Sequence, residues 1–219
     1  MYGRFEETYA RLSGKSVHWV LCTGNVGVWP DPIRADRPSR AAGVGDFLDY
    51  LVGKNRIPIP TLMVGGSHDD HVWIKRMVAN GDGELIENLH YLVNGNKTFI
   101  ENQDISVTVL GMGGTYSPNP KLGNYTQKDI GRGALAGPID LMLTHEAPDG
   151  EQFGSHTSVA KGLNKLCFAT QPKLLIHGKY AETKHYFTKQ TNTRAVCVGN
   201  RGYQIFDITK NSIVKIETS

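Results

Sequence analysis

Apolar residues along this chain come in short runs, and four of those runs stop at polar clusters. Residues 17–22 lead into Thr23-Gly24-Asn25, and residues 61–64 into Gly65-Gly66-Ser67-His68-Asp69-Asp70-His71. Residues 139–144 deliver His145 and Glu146, and residues 173–176 deliver His177-Gly178-Lys179. Apolar runs of this length, punctuated by Gly or Pro, predict buried strands. Residues 97–100 and 105–110 alternate as strands do, and residues 86–93 form short strands or turns around Asn88. The tail reads as a meander of 194–198, 203–208 and 213–216, with turns at 199–202 and 210–211. Helices are predicted at 5–12, where Phe5, Tyr9 and Leu12 fall at helical spacing, and at 47–52 and 159–167. Residues 73–77 predict a helical turn, Thr126 with Asp129 a helix start, and residues 29–45 a loop. Strands alternate with helices first and an all-β end follows, which predicts a mixed α/β sandwich in one domain spanning 1–219.

Composition narrows the function classes. The 219 residues are 39% hydrophobic, enough for a packed core. The 24 basic and 21 acidic residues leave a net charge of +3, too small a bias to indicate nucleic acid or an anionic membrane. No apolar run is long enough to span a bilayer, and the first residues do not form a signal peptide. The three cysteines Cys22, Cys167 and Cys197 lie far apart in apolar runs, as buried reduced thiols do. A cytoplasmic protein is the expectation.

Strand ends that present His, Asp and Asn to one place are how α/β proteins build hydrolytic sites, including two-metal centres that clamp a phosphate. Five segments of this chain carry the resemblance to a known family: Met1-Tyr2-Gly3-Arg4-Phe5, Gly24-Asn25, Gly66-Ser67-His68-Asp69, His145 within Leu-Thr-His-Glu-Ala-Pro, and His177-Gly178-Lys179-Tyr180-Ala181. In order and spacing the chain resembles the calcineurin-like metallophosphoesterases over nearly its whole length. That resemblance implies a β-sandwich of mixed sheets flanked by helices, here lacking the first strand. It also implies a divalent metal cofactor (Mn, Fe or Zn) in an active member, with His68 as the proton donor and His145 as a metal ligand. The family's bridging Asp falls on Asn25 and its metal-ligating Asn on Ser67. Its last two metal histidines fall on Lys179 and Ala181, its first Asp one residue before Met1, and that Asp's His partner on Tyr2. An internal start at Met1 accounts for the first strand and Asp, but not for the other positions.

These substitutions lead to an expectation of a degenerate member with no metal, serving as a binding or protein-interaction module. A pair of dications without a bridging carboxylate repels itself, and an ammonium at Lys179 has no lone pair to give. Two alternatives are carried forward: an active metal-dependent phosphoesterase with His68 as acid, and a phosphate or nucleotide binder using Lys179. Asp69, Asp70, His71 and Glu146 form a set able to hold one stray ion, and His68 with Asp69 reads as a hydrogen-bonded pair. Asn25 also fits a plain turn residue, His177 a satisfied core histidine, Trp19, Trp29 and Tyr180 packing groups, and Gly111–Gly114 a tight turn or an anion-cradling nest. The loop 28–40, with Trp29, Arg34, Arg37 and Arg40, is the expected contact for a protein partner.

Overall fold

A computed structural model of the chain describes residues 4–79, 81, 83–102, 105–148, 153, 159–199, 202–209 and 212–218. The expected Met1-Tyr2-Gly3 segment and the centres of the turns at 199–202 and 210–211 lie outside the described residues.

The apolar runs do form strands, and the strands divide between two stacked sheets. In the first sheet β1 (Val20–Cys22), β2 (Thr61–Met63) and β4 (Leu89–Tyr91) run parallel, and β3 (Glu84–Ile86) is added antiparallel to β4, in the order β1-β2-β4-β3. The tight turn between β3 and β4 is made at Asn88, with φ at 65°. The second sheet has a parallel centre of β6 (Ile105–Met112), β7 (Leu141–Thr144), β8 (Leu174–His177) and β10 (Arg194–Cys197). Antiparallel β5 (Lys97–Asn102) and β9 (Lys184–Phe187) close its two edges. A separate antiparallel hairpin joins β11 (Gln204–Ile208) to β12 (Ile213–Thr218).

Alternation within each strand sorts side chains into layers. Leu62 and Val64 face the second sheet, while Met63 between them faces the outer helices. Leu141, Leu143, Leu174, Ile176 and Val196 fill the space between the sheets, and their neighbours Met142, Leu175 and Ala195 face the opposite way. Three apolar layers result. α1 (Phe5–Leu12), α3 (Phe47–Leu51) and α4 (His71–Ala79) cover the first sheet. α5 (Gln127–Ala134) and α6 (Val159–Thr170) cover the second. Strands buried on both faces must be apolar at successive positions, which is why these runs read as continuous.

The boundaries at 5–12 and the Thr126–Asp129 start are as expected; the latter is a complete capping box, with Asp129 accepting from Thr126 N–H at 2.8 Å. Other elements differ. The helical turn at 73–77 is a nine-residue helix, because Asp70 caps it by accepting from Val72 and Trp73 N–H groups at 3.1 and 3.0 Å. The loop 29–45 contains a 3₁₀ turn (Pro32–Arg34) and α2 (Arg37–Ala41), capped by Asp31 and Asp36. The tail is not a three-strand meander. β10 leaves β11 and inserts between β8 and β9, since Ala195, Val196 and Cys197 are buried and only a central position covers both faces.

Candidate functional site

Stacking the sheets brings the C-terminal ends of β1, β2, β6, β7 and β8 to one edge. Glycines make the approach close enough. A Cβ on Gly24 would lie 2.7 Å from Gly65 O, one on Gly66 would overlap Asn25 backbone, and one on Gly113 would overlap Gly65 backbone. Gly114 N–H donates to Gly65 O at 2.7 Å, and Asn94 Oδ1 accepts from Gly113 N–H at 2.6 Å. The glycines at 111–114 therefore pack against neighbouring chain and leave no cradle for an anion.

The polar side chains at these ends are largely engaged. Asn25 sits at φ 54°, in the left-handed region that Asn tolerates, and its Oδ1 accepts from His68 N–H at 3.0 Å. Ser67, in the family's metal-ligand position, is exposed. Asp69 is 4% exposed and accepts from Gly27 N–H at 2.7 Å, Val28 N–H at 3.2 Å and Gly66 N–H at 2.9 Å, so it clamps the β1 loop to the β2 loop. His71 Nε2 meets Gly66 O at 2.6 Å. Asp69, Asp70 and His71 thus serve the backbone rather than converging as ligands.

His68 does not pair with Asp69. Its Nδ1 is 2.6 Å from Asp36 Oδ2, across 32 residues, and Trp29 Nε1 donates to its carbonyl at 3.0 Å. Burial opposes the charged form of Asp36, but hydrogen bonds from Ser39 and His68 outweigh it and hold the carboxyl below its usual range. Trp29 is buried, while Ile33, Arg34, Arg37 and Arg40 of the 28–40 loop are exposed. Sequence reasoning missed Asp36. The Asp-Arg-Pro-Ser order at 36–39 is a readable helix start, but its contact with His68 has no local signal.

His145 is 1% exposed; its Nδ1 donates to Thr23 O at 2.7 Å, which leaves the Nε2 lone pair buried without a partner among the described residues. Burial first, then the charges of Lys179 and His68, push its pKa below the ordinary value, so the ring is neutral. Lys179, at φ 71°, forms an ion pair with Glu146 Oε1. Glu146 is 5% exposed and its second oxygen has no described partner.

His177 is a satisfied core histidine. It is fully buried, with Nδ1 3.2 Å from Gly178 O and Nε2 2.8 Å from Tyr186 OH, and Phe153, Tyr180 and Tyr186 rings pack around it. Burial lowers its pKa to about 4. Between that value and about 6.5, where a free imidazole titrates, the unfolded chain binds the extra proton. The stability His177 contributes is therefore complete above about pH 6.5 and lost as pH falls through about 4. Urea midpoints measured from pH 7 to 4 are expected to drop less steeply for His177→Gln than for wild type, by about 3 kcal/mol over that range; parallel curves contradict this.

These groups do not fit a two-metal centre. Among the described residues no set of three or more His, Cys, Asp or Glu side chains is placed to hold a metal ion. His145 Nε2 is buried with no hydrogen-bond partner among the described residues, Asn25 Oδ1 is engaged, and an ammonium stands at Lys179. The cysteines are free and buried, and burial pushes Cys22 and Cys197 thiols up to about 12. No described helix is long and apolar enough to cross a membrane.

No profile of a known family matches the chain. A lariat debranching enzyme of Entamoeba histolytica is 26% identical over 93% of this chain and 68% of its own length. A lariat debranching enzyme of Schizosaccharomyces pombe is 28% identical over 60% of this chain. Zinc finger CCCH domain-containing protein 59 of Oryza sativa subsp. japonica is 30% identical over 72% of this chain. The chain spans only 30% and 27% of the length of these last two relatives. Among solved structures, that of TT1561 from Thermus thermophilus superposes with a TM-score of 0.63 at 19% identity, covering 98% of this chain and 92% of that one.

Proposed function

This chain is a calcineurin-like metallophosphoesterase in descent and fold, and on that premise we propose that it acts as a binding and protein-interaction module rather than as a phosphoester hydrolase. The observation that carries this reading is the Lys179–Glu146 ion pair. It puts a cation, with no lone pair, where the fold's hydrolytic members need an imidazole donor, and it engages Oε1 of the buried Glu146 carboxylate. Asn25 supplies no charge to bridge two dications. A phosphate or nucleotide site built on Lys179 is not favoured, since Glu146 already neutralises that ammonium. The contact for a protein partner is the exposed part of the 28–40 loop, Ile33 with Arg34, Arg37 and Arg40.

The test is elemental analysis of protein prepared with Mn, beside turnover of a generic phosphodiester and a lariat RNA. Substoichiometric metal and turnover no faster than the buffer blank are expected. Two tightly held ions per chain with turnover overturn the proposal.

One observation favours a second reading, hydrolysis through a reduced, single-ion site. The bare Nε2 of His145 is an unused donor, and two relatives are named as lariat debranching enzymes. His68, oriented by Asp36, is then the general acid. In that case His68→Ala lowers turnover by about 10²–10⁴, and an unchanged rate removes the reading.

A further inference from the structure

Three segments that follow β1, β2 and β6 meet beside the strand-end site: the 28–40 loop, α4 and the loop 115–124. Arg34 Nη1 lies 4.0 Å from Asp70 Oδ2, and Asp70 caps α4. His71, the first residue of α4, lies against the third segment, since a Cβ on Gly123 would be 2.2 Å from His71 Cδ2. The three segments therefore adjoin, with the start of α4 between the two loops.

Charge is sorted on this surface. Arg34, Arg37, Arg40, Lys75, Arg76 and Lys121 are exposed there. Neither α4 nor the loop 115–124 contains an acidic residue. The acidic residues of the 28–40 loop turn to its backbone: Asp31 accepts from Ile33 N–H at 3.0 Å, and Asp36 from Ser39 N–H at 2.8 Å. Asp70 is buried. The net charge of the whole chain is only +3, so this positive face comes from sorting rather than from excess. Among the cations stand Ile33, 85% exposed, Val72 and Leu122. One exposed aliphatic side chain is ordinary, but these three lie on adjoining segments. Val72 shares a helix face with Lys75 and Arg76, three and four residues on. Ile33 is held in place: Arg40 donates to the carbonyls of Ile33 and Ala35, and Trp29 Nε1 donates to Ser39 Oγ at 3.2 Å. A loop fixed in this way loses little freedom on binding.

The chemistry of the face selects its occupant. A nucleic-acid strand meets the cations but needs exposed rings to stack its bases; Trp29 is buried, and Tyr116 packs edge-on against Tyr125. A second copy, face to face, sets like charges against each other. A polypeptide that carries both carboxylates and aliphatic side chains matches both features.

We propose that this face docks an acidic segment of a partner protein, with carboxylates on the arginines and lysines and aliphatic side chains against Ile33, Val72 and Leu122. The proposal deepens the interaction-module reading and rests on it: it names the chemistry of the partner and extends its contact from the 28–40 loop to α4 and the loop 115–124.

The experiment titrates the 219-residue protein with a blocked peptide repeating leucine, aspartate and glutamate, read by calorimetry at low and high salt. The same peptide with asparagine and glutamine for its acids, a single-stranded RNA of mixed sequence and vesicles of anionic phospholipid are titrated alongside. One-to-one binding of the acidic peptide is expected, weakened by salt and weakened about tenfold by Ile33→Ser combined with Arg37→Glu. Both positions are exposed, so an unchanged melting temperature is expected of the double variant. Equal binding of the amide peptide, tighter binding of the RNA or the vesicles, no loss in the double variant, or no binding of the acidic peptide overturns the proposal. So does a longer form of this polypeptide that no longer takes the peptide, since its own residues then occupy the face. Peptide binding alongside metal-dependent turnover keeps the docking face and removes the non-hydrolytic reading; no binding without turnover does the reverse.

Discussion

Gly66→Ala is expected to destabilise the protein by about 4 kcal/mol or more, lowering the melting temperature by about 10 °C. The new Cβ would overlap Asn25 N and Oδ1 and sit 2.8 Å from Asn25 Cα. Those atoms cannot swing aside. Asn25 already holds φ 54°, its predecessor Gly24 holds φ 95°, and both lie against the Gly65-Gly66 backbone. Making room means parting the ends of β1 and β2, which breaks His68 N–H to Asn25 Oδ1 and Gly27 N–H to Asp69 Oδ1. The overlap and the lost bonds act in the same direction. Gly131→Ala, on the exposed face of α5 with nothing within 4 Å of its Cβ, is the control. It is expected to be neutral or stabilising by up to about 1 kcal/mol, from helix propensity. Thermal melts followed by circular dichroism decide the matter; equal melting temperatures for the two variants contradict the close approach at Gly66.

Asp69→Ala is expected to cost about 4 kcal/mol, measured by urea unfolding. Its carboxylate accepts from the N–H groups of Gly27, Val28 and Gly66, two on the β1 loop and one on the β2 loop. The site is nearly closed to water, so removal leaves buried donors unsatisfied as well as losing charge-assisted bonds. Asp69→Asn is expected to lose about half as much, since one carboxamide oxygen still accepts while its NH₂ opposes a donor. Amide exchange adds a local reading. Gly27 and Val28 are expected to exchange faster in both variants, with α5 and α6 unchanged. A variant as stable as wild type shows that the loops hold together without the clamp.

The family's histidine-bearing segment, Gly66-Ser67-His68-Asp69, therefore divides its work. Asp69 and Gly66 hold the fold, and His68 faces outward to Asp36. The fold keeps its geometry at these strand ends through backbone contacts at Gly24, Gly66 and Gly113 and through the Asp69 clamp.

Much of this was legible in the sequence. Short apolar runs ending in glycine gave the parallel strands, because strands buried on both faces must be apolar throughout. The order of the polar ends gave the family resemblance, and Thr126 with Asp129 gave the start of α5, since a capping box is a contact three residues long. The placement of β10 was not legible: Arg194–Cys197 looks the same whether it continues a meander or enters a parallel sheet. Nor were the pairs His68–Asp36 and Lys179–Glu146, 32 and 33 residues apart. By itself the sequence determined which apolar runs become buried strands and which strand ends carry His, Asn and Lys. Only the tertiary structure decided what each polar group does, because stacking two sheets brings distant strand ends within hydrogen-bond reach, and that distance is a property of the packing rather than of any local pattern.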